Sequence, residues 1–250
     1  MIIKIISGGQ TGADQAALDV AIDFYVPHGG WMIPRGGKTD YRLLLKKYRL
    51  KEISSNNDQQ AIERNVADSD GTLIVSRGRL TGTPALTQKL AAKHSRPYIH
   101  VDPDKADPDK MLEMVVTWID ARDIEALNIT GPEESKDKKI YEDTRNLVAS
   151  IIRHYTPKTV EEAVDLLISE LPLDMRTIIA KANEHVLSFL HAMADPHVIN
   201  RFGLCEKDSE LLKSCRAESG KKIDRDEAVR IILFRTWKEL QKTHSLRRVK

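Results

Sequence analysis

Two glycine-bearing turns lie where phosphate-binding chemistry is expected, each between an apolar run and the start of a helical pattern. The first turn, Gly8-Gly9-Gln10-Thr11-Gly12, follows the β-branched run 2–6 and precedes alanines at helical spacing. Glycines let the backbone turn sharply and approach a ligand, and the free N–H groups of a helix N-terminus favour an anion. The turn therefore predicts a phosphate site, although many α/β proteins use such a turn only to pack a helix on a sheet.

The same order of elements recurs later in the chain. The apolar run 70–76 leads into loop 77–83, where Thr81, Gly82 and Thr83 precede a predicted helix. The two threonine hydroxyls either contact a ligand or cap that helix. A third apolar run, 126–130, also ends at a glycine. Because ligands of parallel sheets bind beyond the carboxyl ends of the strands, we expect these turns to gather at one edge.

Residues suited to covalent catalysis are few in the same part of the chain. No cysteine lies within residues 1–155, and the sequence assigns neither Ser7 nor Ser76 a partner base. A ligand could be bound there, but no nucleophile with its base is evident. This pattern favours a binding protein over an enzyme, without deciding between them.

Cysteines and histidines of the second part of the chain do not indicate a metal site. Cys205 and Cys215 lie ten positions apart without a CxxC spacing, so we predict two buried free thiols. His185, His191 and His197 recur every six residues, which puts no pair on adjacent turns of one helix face. We therefore expect no protein-ligated metal.

Alternating strand and helix patterns extend from the N-terminus to about residue 155. Strands are predicted over 2–6, 25–32, 70–76, 97–101 and 126–130, with helices from residue 10, over 58–67, around 86–91, around 112–119 and within 135–155. Segment 41–57 is basic and is predicted to be irregular. This alternation predicts an α/β fold, a Rossmann-like, doubly wound parallel sheet of about five strands with right-handed crossovers.

The pattern changes to helices alone after Thr156, so a smaller all-helical domain is predicted over 158–250. Thr159 and Glu162 form a predicted capping box for the first of its helices. A second helix is predicted over about 174–193, with Ile178 on its buried side, and a last one begins at Asp224. The two predicted domains are thus 1–155 and 158–250.

Composition and charge narrow the class of protein. The chain has 250 residues, 41% apolar and 30% charged, with a formal charge of only +2. Neither half is a polycation, and the short basic tail 247–250 is too small to indicate nucleic-acid binding. No membrane span or secretory signal is evident, so a cytoplasmic protein is expected.

Five ordered motifs within residues 2–155 resemble a known family. They are Ser7-Gly8-Gly9-Gln10-Thr11-Gly12-Ala13-Asp14, Pro27-His28-Gly29-Gly30-Trp31, Asp68-Ser69-Asp70-Gly71-Thr72, Leu80-Thr81-Gly82-Thr83 and Asn128-Ile129-Thr130-Gly131-Pro132. In these motifs the chain resembles the putative molybdenum cofactor carrier proteins of the SLOG, or lysine-decarboxylase-like, Rossmannoid nucleotide-binding superfamily. That superfamily includes cytokinin-activating phosphoribohydrolases and bacterial DNA-processing proteins.

The resemblance implies a candidate binding site. Its main anion site consists of Gly8, Gly9, Gln10, Thr11, Gly12 and Asp14, with Asp70, Gly71, Thr81, Gly82 and Thr83 opposite; Arg35, Arg77, Asn128 and Gly131 complete it. Asp14 would accept hydrogen bonds from a ribose, a pterin or a neighbouring loop, or it is simply a first-turn carboxylate that matches the helix dipole. The implied cofactor is the molybdenum cofactor, molybdopterin, or otherwise a nucleotide.

Two positions depart from the pattern expected of that family. Gln15 and Glu133 stand where the resemblance leads us to expect arginines. A lost charge-assisted contact costs roughly 1.5 to 3 kcal/mol, so a less charged ligand or weaker binding is predicted. Arg35, Arg77 and Arg79 follow strands at the same predicted edge and either compensate or are ordinary solvated surface.

Three functions are compatible with these features. The first is a carrier for a small phosphorylated ligand, with the molybdenum cofactor as the candidate. The second is a nucleotide-processing hydrolase, although Leu80-Thr81-Gly82-Thr83-Pro84 has fewer glycines than the phosphoribohydrolase loop and lacks its glutamate. The third is a nucleotide sensor acting through the helical domain, whose phrase 200–204 resembles an uncharacterised bacterial helical family. A homo-oligomer is expected, because members of the superfamily pair through helices.

Overall fold

The computed structural model describes residues 2–33, 39–54, 57–183, 198–205 and 209–243. The chain divides into two compact units, Met1–Tyr155 and Thr156–Lys250. The first unit contains β1 (Lys4–Ile6), α1 (Ala13–Asp23), β2 (His28–Met32), α2 (Thr39–Lys47), β3 (Leu50–Glu52), α3 (Asp58–Ala67), β4 (Gly71–Val75), α4 (Gly82–Lys93), β5 (Tyr98–Val101), α5 (Pro108–Ala121), β6 (Ala126–Thr130) and α6 (Ile140–His154).

The sheet of the first unit is entirely parallel, with the strand order β3-β2-β1-β6-β4-β5. Right-handed crossovers then place α1, α2 and α5 on one face and α3 and α4 on the other. This confirms the predicted doubly wound α/β fold. The order reverses where β6 lies between β1 and β4, and at such a point the strand ends open a crevice for ligands.

The prediction of an irregular segment 41–57 is wrong. This segment contains most of α2 and all of β3, so the sheet has six strands instead of about five. Tyr41 of α2 and Tyr48, directly after that helix, pack with Leu18, Met32 and Leu50. Only Leu50 of β3 is buried, and a strand of three residues with one buried side chain shows no alternating pattern.

The core of the first unit lies between the sheet and its helices. Its largest cluster joins residues of β1, β4, β5 and β6 to α1, α5 and α6, and includes Leu73, Val115, Leu127, Ile129 and Val148. All five residues of β4 are buried, as expected of a central parallel strand covered on both faces. The loops at the carboxyl edge are therefore held by a rigid support.

The described residues of the second unit form helices joined by turns and short irregular stretches. They form α7 (Val160–Glu170), α8 (Leu173–Lys181), a short helical stretch at 198–201, α9 (Glu210–Ser219) and α10 (Arg225–Thr243). The Thr159 hydroxyl caps α7 by accepting from the Glu162 N–H at 3.2 Å. The Glu162 carboxylate reaches back to the N–H of Lys158 instead of Thr159, so the predicted capping box forms with a shift of one residue.

Three expectations for the second unit need correction or lie outside the described residues. Ile178 is exposed and its neighbour Ile179 is buried, so the predicted buried face of α8 is displaced by one position. Both cysteines are free, but only Cys215 is buried and Cys205 is exposed. Burial raises the pKa of Cys215 to about 11. The predicted helix beyond residue 183 and His185, His191 and His197 lie outside the described residues.

No helix in the described ranges is both long and apolar enough to span a bilayer.

Candidate functional site

The first glycine turn packs against the loop that follows β6. Gly9 and Gly12 have φ angles of +73° and +92°. A Cβ on Gly12 would lie 2.6 Å from the carbonyl oxygen of Pro132 and 2.7 Å from the nitrogen of Glu134. Only glycine fits both the backbone angle and this space. Thr11 is the exposed residue of the turn, while Gly12 provides close contact between two loops.

The carboxylate of Asp14 uses hydrogen-bond donors of the same turn. Asp14 is buried in the first turn of α1, and its carboxylate accepts from the Thr130 hydroxyl and from the backbone of Gly8, Gln10 and Gly131. Burial raises the pKa of Asp14 from 3.8 to about 7, since these hydrogen bonds offset only part of the desolvation. Asp14 therefore bonds to a neighbouring loop, and the turn has fewer N–H groups left for an external phosphate.

A small polar cavity lies beneath this turn. It has a volume of about 30 Å³, which is enough for about one water molecule. Its lining includes Gly8, Gln10, Asp14, Asn65, Thr83, Thr87, Asn128 and Thr130. The Asn128 amide donates to the Thr72 hydroxyl at 3.2 Å, inside the sheet. The cavity is thus too small for a pterin or a nucleotide, although several predicted site residues meet there.

The two positions that depart from the family pattern play different parts. The Gln15 amide donates to the carbonyl of Gly9 at 3.1 Å, and this hydrogen bond stabilises the conformation of the first turn. Glu133 lies half-buried in the loop after β6 and accepts from the Ser135 hydroxyl at 3.4 Å. Gln15 therefore stabilises the turn, while Glu133 places a carboxylate beside the second loop.

The second glycine turn, after β4, is open by comparison. Gly82 has a φ of +56°, and nothing lies within 4 Å of the position of a Cβ there. Thr81 is the N-cap residue of α4, but its hydroxyl makes no capping hydrogen bond. Thr81 therefore occupies the cap position while its hydroxyl leaves the helix uncapped. N–H groups in the first turn of α4 therefore have no side-chain acceptor from Thr81.

Arg77 joins the second turn to two other loops. Its guanidinium pairs with Asp104 at 3.0 Å, with Asp137 at 2.5 Å, and with Asp143. The backbone N–H of Gly78 also donates to Asp102 at 2.8 Å. These contacts fix the path of the loop after β4. Arg77 is thus engaged by carboxylates of the protein, which argues against its role as a compensating cation for a ligand.

A groove of about 670 Å³ lies between the loops after β4 and β6. It is lined by Ser76, Arg77, Arg79, Thr81, Gly82, Thr83, Pro84, Pro132, Glu133, Lys136, Asp137, Lys138 and Lys139. This volume is within the range of small-molecule sites. Arg79 and the three lysines are exposed, and within the described ranges none of them has a carboxylate at ion-pair distance. The groove therefore presents unpaired positive charge beside the open end of α4.

Ser76 lies on the groove wall and has a histidine partner, contrary to the sequence prediction. His100 Nε2 lies 3.0 Å from the Ser76 hydroxyl oxygen and 3.0 Å from the Ser76 carbonyl oxygen. Because a carbonyl can only accept, this geometry favours a proton on Nε2. His100 is then a donor to Ser76 and not a base. The hydroxyl of Ser76 keeps its own proton for an acceptor in the groove.

The structure separates some predicted site residues from the others. Asp70 and Gly71 precede or begin β4, so they lie at the amino edge of the sheet and do not face the first turn. The Asp70 carboxylate accepts from the N–H groups of Glu125 and Ala126, which ties β4 to β6. Their placement opposite the anion site is therefore incorrect, because they start the strand instead of ending it. Arg35 lies outside the described residues.

Sequence reasoning missed the three lysines of the groove. Lys136, Lys138 and Lys139 follow Gly131 by only a few residues, in a run interrupted by Asp137. A basic run shortly after a strand at the carboxyl edge was the available signal. From the sequence, this stretch is assigned only to the region 135–155, within which a helix is predicted. In the sequence, Asp137 offsets part of the positive charge of the three lysines. Its pairing with Arg77, which leaves the lysines unneutralised, is visible only in the tertiary structure.

Comparisons with known proteins agree with the observed fold. The model of the circularly permutated YpsA SLOG family matches residues 5–152. A crystal structure of a protein from Syntrophus aciditrophicus SB, named putative molybdenum carrier protein, is 41% identical, with a TM-score of 0.56. The similarity covers 60% of the present chain and 94% of that protein. No match was found among curated proteins.

Proposed function

Because the chain belongs to the circularly permutated YpsA SLOG family, we propose that it binds and carries a small phosphorylated ligand. The candidates are the molybdenum cofactor, as the name of the similar crystal structure suggests, and a related nucleotide. The observation that carries the proposal is the groove between the loops after β4 and β6. Unpaired cations line it, next to a helix end whose N-cap hydroxyl is unused.

The phosphate is assigned to this groove in preference to the first glycine turn. Asp14 already accepts from the backbone of that turn, and a second anion beside its carboxylate would be repelled when Asp14 is ionised. In the groove, Arg79 and Lys138 can pair with phosphate oxygens, and the Ser76 hydroxyl can donate to one. The assignment therefore moves the ligand anion from the first turn, which the resemblance implies as the main anion site, to the groove beside Thr81, Gly82 and Thr83, which the resemblance places opposite it.

The donor set of the groove fits the phosphate end of molybdopterin. Lysine, arginine and hydroxyl groups bind phosphate oxygens but are poor ligands of molybdenum. Within the described ranges no three His, Cys, Asp or Glu side chains are placed to hold a metal ion. In this proposal molybdenum is cargo that arrives coordinated by the pterin, and the protein residues bind and orient the organic part.

A hydrolase remains the second candidate because Ser76 and His100 are in contact beside the groove. Catalysis by this pair would require His100 to accept the hydroxyl proton. The carbonyl contact of Nε2 favours the opposite arrangement. Carriage without turnover is therefore the preferred function, and the fate of a bound ligand distinguishes the two.

The test combines ligand-induced thermal stabilisation with one charge reversal. We expect molybdopterin or a nucleotide to raise the Tm of the full chain, because binding to the native state stabilises it by mass action. Lys138→Glu should abolish that shift. The control, Lys4→Glu, makes the same charge change at the amino end of β1 and should retain it.

Three measurements decide the outcome: the ligand-induced shift in Tm, the chemical fate of the ligand and the native mass of the protein. Recovery of the ligand unchanged after incubation supports a carrier, whereas release of a base or of phosphate supports the hydrolase. Equal shifts in wild type and Lys138→Glu would overturn the groove as the site, and no shift with any ligand would overturn the proposal. Native mass spectrometry of the same sample tests the proposed homo-oligomer.

A further inference from the structure

The charge of the groove exceeds what one phosphate group neutralises. Resting on the proposed function, we infer that the ligand carries at least two linked phosphoryl groups, the outer one terminal, as in a nucleoside diphosphate, which favours the nucleotide of the two candidates. The inference concerns the ligand class of the same groove. It follows from which of the lining charges are already paired inside the protein and which are not.

Internal ion pairing removes one cation and one carboxylate from the groove. Arg77 and Asp137 both line it and pair with each other at 2.5 Å. The other carboxylates on Arg77, from Asp104 and Asp143, do not belong to the lining. Asp137 Oδ1 also accepts the N–H of Lys139 at 3.0 Å. The acidic residue within the lysine run is thus committed to the protein and leaves its neighbours unneutralised.

Four lining cations remain against a single carboxylate. Arg79, Lys136, Lys138 and Lys139 face Glu133, which leaves a net charge of +3 along the groove. A phosphate monoester carries only about −1.5 to −2 at pH 7. A second linked phosphoryl group adds about one negative charge and brings the ligand close to the charge of the groove.

The cations are also divided between two loops. Arg79 lies in the loop after β4, with the open end of α4, and the three lysines lie in the loop after β6. A ligand with one anionic centre pairs with the cations of one loop and leaves those of the other loop unpaired. Two linked phosphoryl groups can pair with cations of both loops. The groove volume of about 670 Å³ leaves space for the organic part of the ligand.

Inorganic anions test this inference without knowledge of the organic part. Titration calorimetry of the full chain, with EDTA and at fixed ionic strength, compares inorganic phosphate with pyrophosphate. We expect pyrophosphate to bind at least about tenfold more tightly, since one further charge-assisted contact is gained. The double variant Lys136→Gln/Lys139→Gln should reduce the ratio of the two Kd values to below about three. Lys4→Gln, at the opposite edge of the sheet, should leave it unchanged.

The possible outcomes separate this inference from the proposed function. Equal affinity for phosphate and pyrophosphate would overturn the inference and leave a phosphate-binding carrier. A pyrophosphate preference that persists in the double variant would overturn the assignment of the second phosphoryl group to the lysines. If neither anion binds the wild-type chain, both the inference and the groove as the ligand site are overturned.

Discussion

The turns after β1 and β4 have the same order of strand, glycine and helix, but different groups of the protein contact them. In each, a buried strand ends, a glycine with positive φ follows, and a helix begins. After β1, Asp14 accepts from the turn and Gly12 lies against the loop after β6. After β4, Gly82 has free space and the Thr81 hydroxyl leaves the helix end uncapped.

This difference shows that a glycine-bearing turn before a helix indicates an anion but not its source. At the first turn the anion belongs to the protein itself, a carboxylate two residues into the helix region. At the second turn, in contrast, most of the unpaired charges nearby are cations, Arg79 on the same loop and three lysines on the loop after β6. The number of donors left over after internal pairing, and not the glycine pattern, decides which turn can bind a ligand.

The largest expected effect comes from a methyl group added to each turn. Gly12→Ala puts a Cβ within 2.7 Å of two backbone atoms at a φ of +92°, so we expect a loss of about 3 kcal/mol or more in the free energy of unfolding. Gly82→Ala meets no atom within 4 Å and should cost only about 1 to 2 kcal/mol, for its left-handed conformation. Urea denaturation of both variants measures the difference.

Similar losses in the two variants would contradict the comparison of a closed turn with an open one. Should Gly12→Ala be too unstable to purify, its soluble yield relative to Gly82→Ala gives the same ranking. In Gly82→Ala the phosphate affinity of the groove is a second readout.

The next largest effect concerns the pH dependence that Asp14 introduces. The pKa of Asp14 is raised to about 7 in the folded state, from 3.8. The folded protein thus holds this proton more tightly, and the associated stability is present below about pH 4 and is lost as the pH rises towards 7. Asp14→Asn cannot ionise. Relative to wild type, the variant should therefore gain about 2 to 4 kcal/mol between pH 4 and pH 8.

Urea titrations at pH 4, 6 and 8 measure this gain. Asp109→Asn, which removes an exposed carboxylate in the first turn of α5, is the control and should change little with pH. A constant difference between wild type and Asp14→Asn across this range would mean that folding does not raise the pKa of Asp14.

The smallest expected effect compares two helix caps. Thr159 caps α7 through its hydroxyl, so Thr159→Ala should cost about 1 kcal/mol. Thr81 occupies the same position at α4 without a capping hydrogen bond, and Thr81→Ala should cost less than about 0.5 kcal/mol. Thermal unfolding of the two variants measures both. A cost at Thr81 equal to that at Thr159 would indicate a filled cap and a less available helix end.

The sheet was largely predictable from the sequence because its central strands are buried on both faces. The run at 70–76 contains Leu73-Ile74-Val75 and the run at 126–130 contains Leu127 and Ile129, and both form strands. Strand β3 was not predictable, since only Leu50 in its three residues is buried. Strands are predicted from the pattern of apolar residues that are buried on one or both faces. A short edge strand buries too few residues to produce such a pattern.

The site was less predictable because its chemistry depends on pairings between distant residues. Asp14 and Thr130 are far apart in the chain, as are Arg77 and Asp137, yet these contacts decide which charges remain available. The partner of Ser76 likewise comes from another strand, in His100. Residue types alone indicated the edge of the sheet at which to look, whereas the paired and unpaired state of each group required the tertiary structure.

The position of β6 has a consequence for how the protein is made. The strand closest to the end of the first unit pairs with β1, aligning Ala126 with Lys4, and also with β4, aligning Leu127 with Gly71. During translation, β1 and β4 are therefore synthesised well before the strand that joins them. Until residue 130 leaves the ribosome, each has an unsatisfied edge of the kind that promotes aggregation. Folding of the sheet is consequently a late, long-range event in the synthesis of this unit.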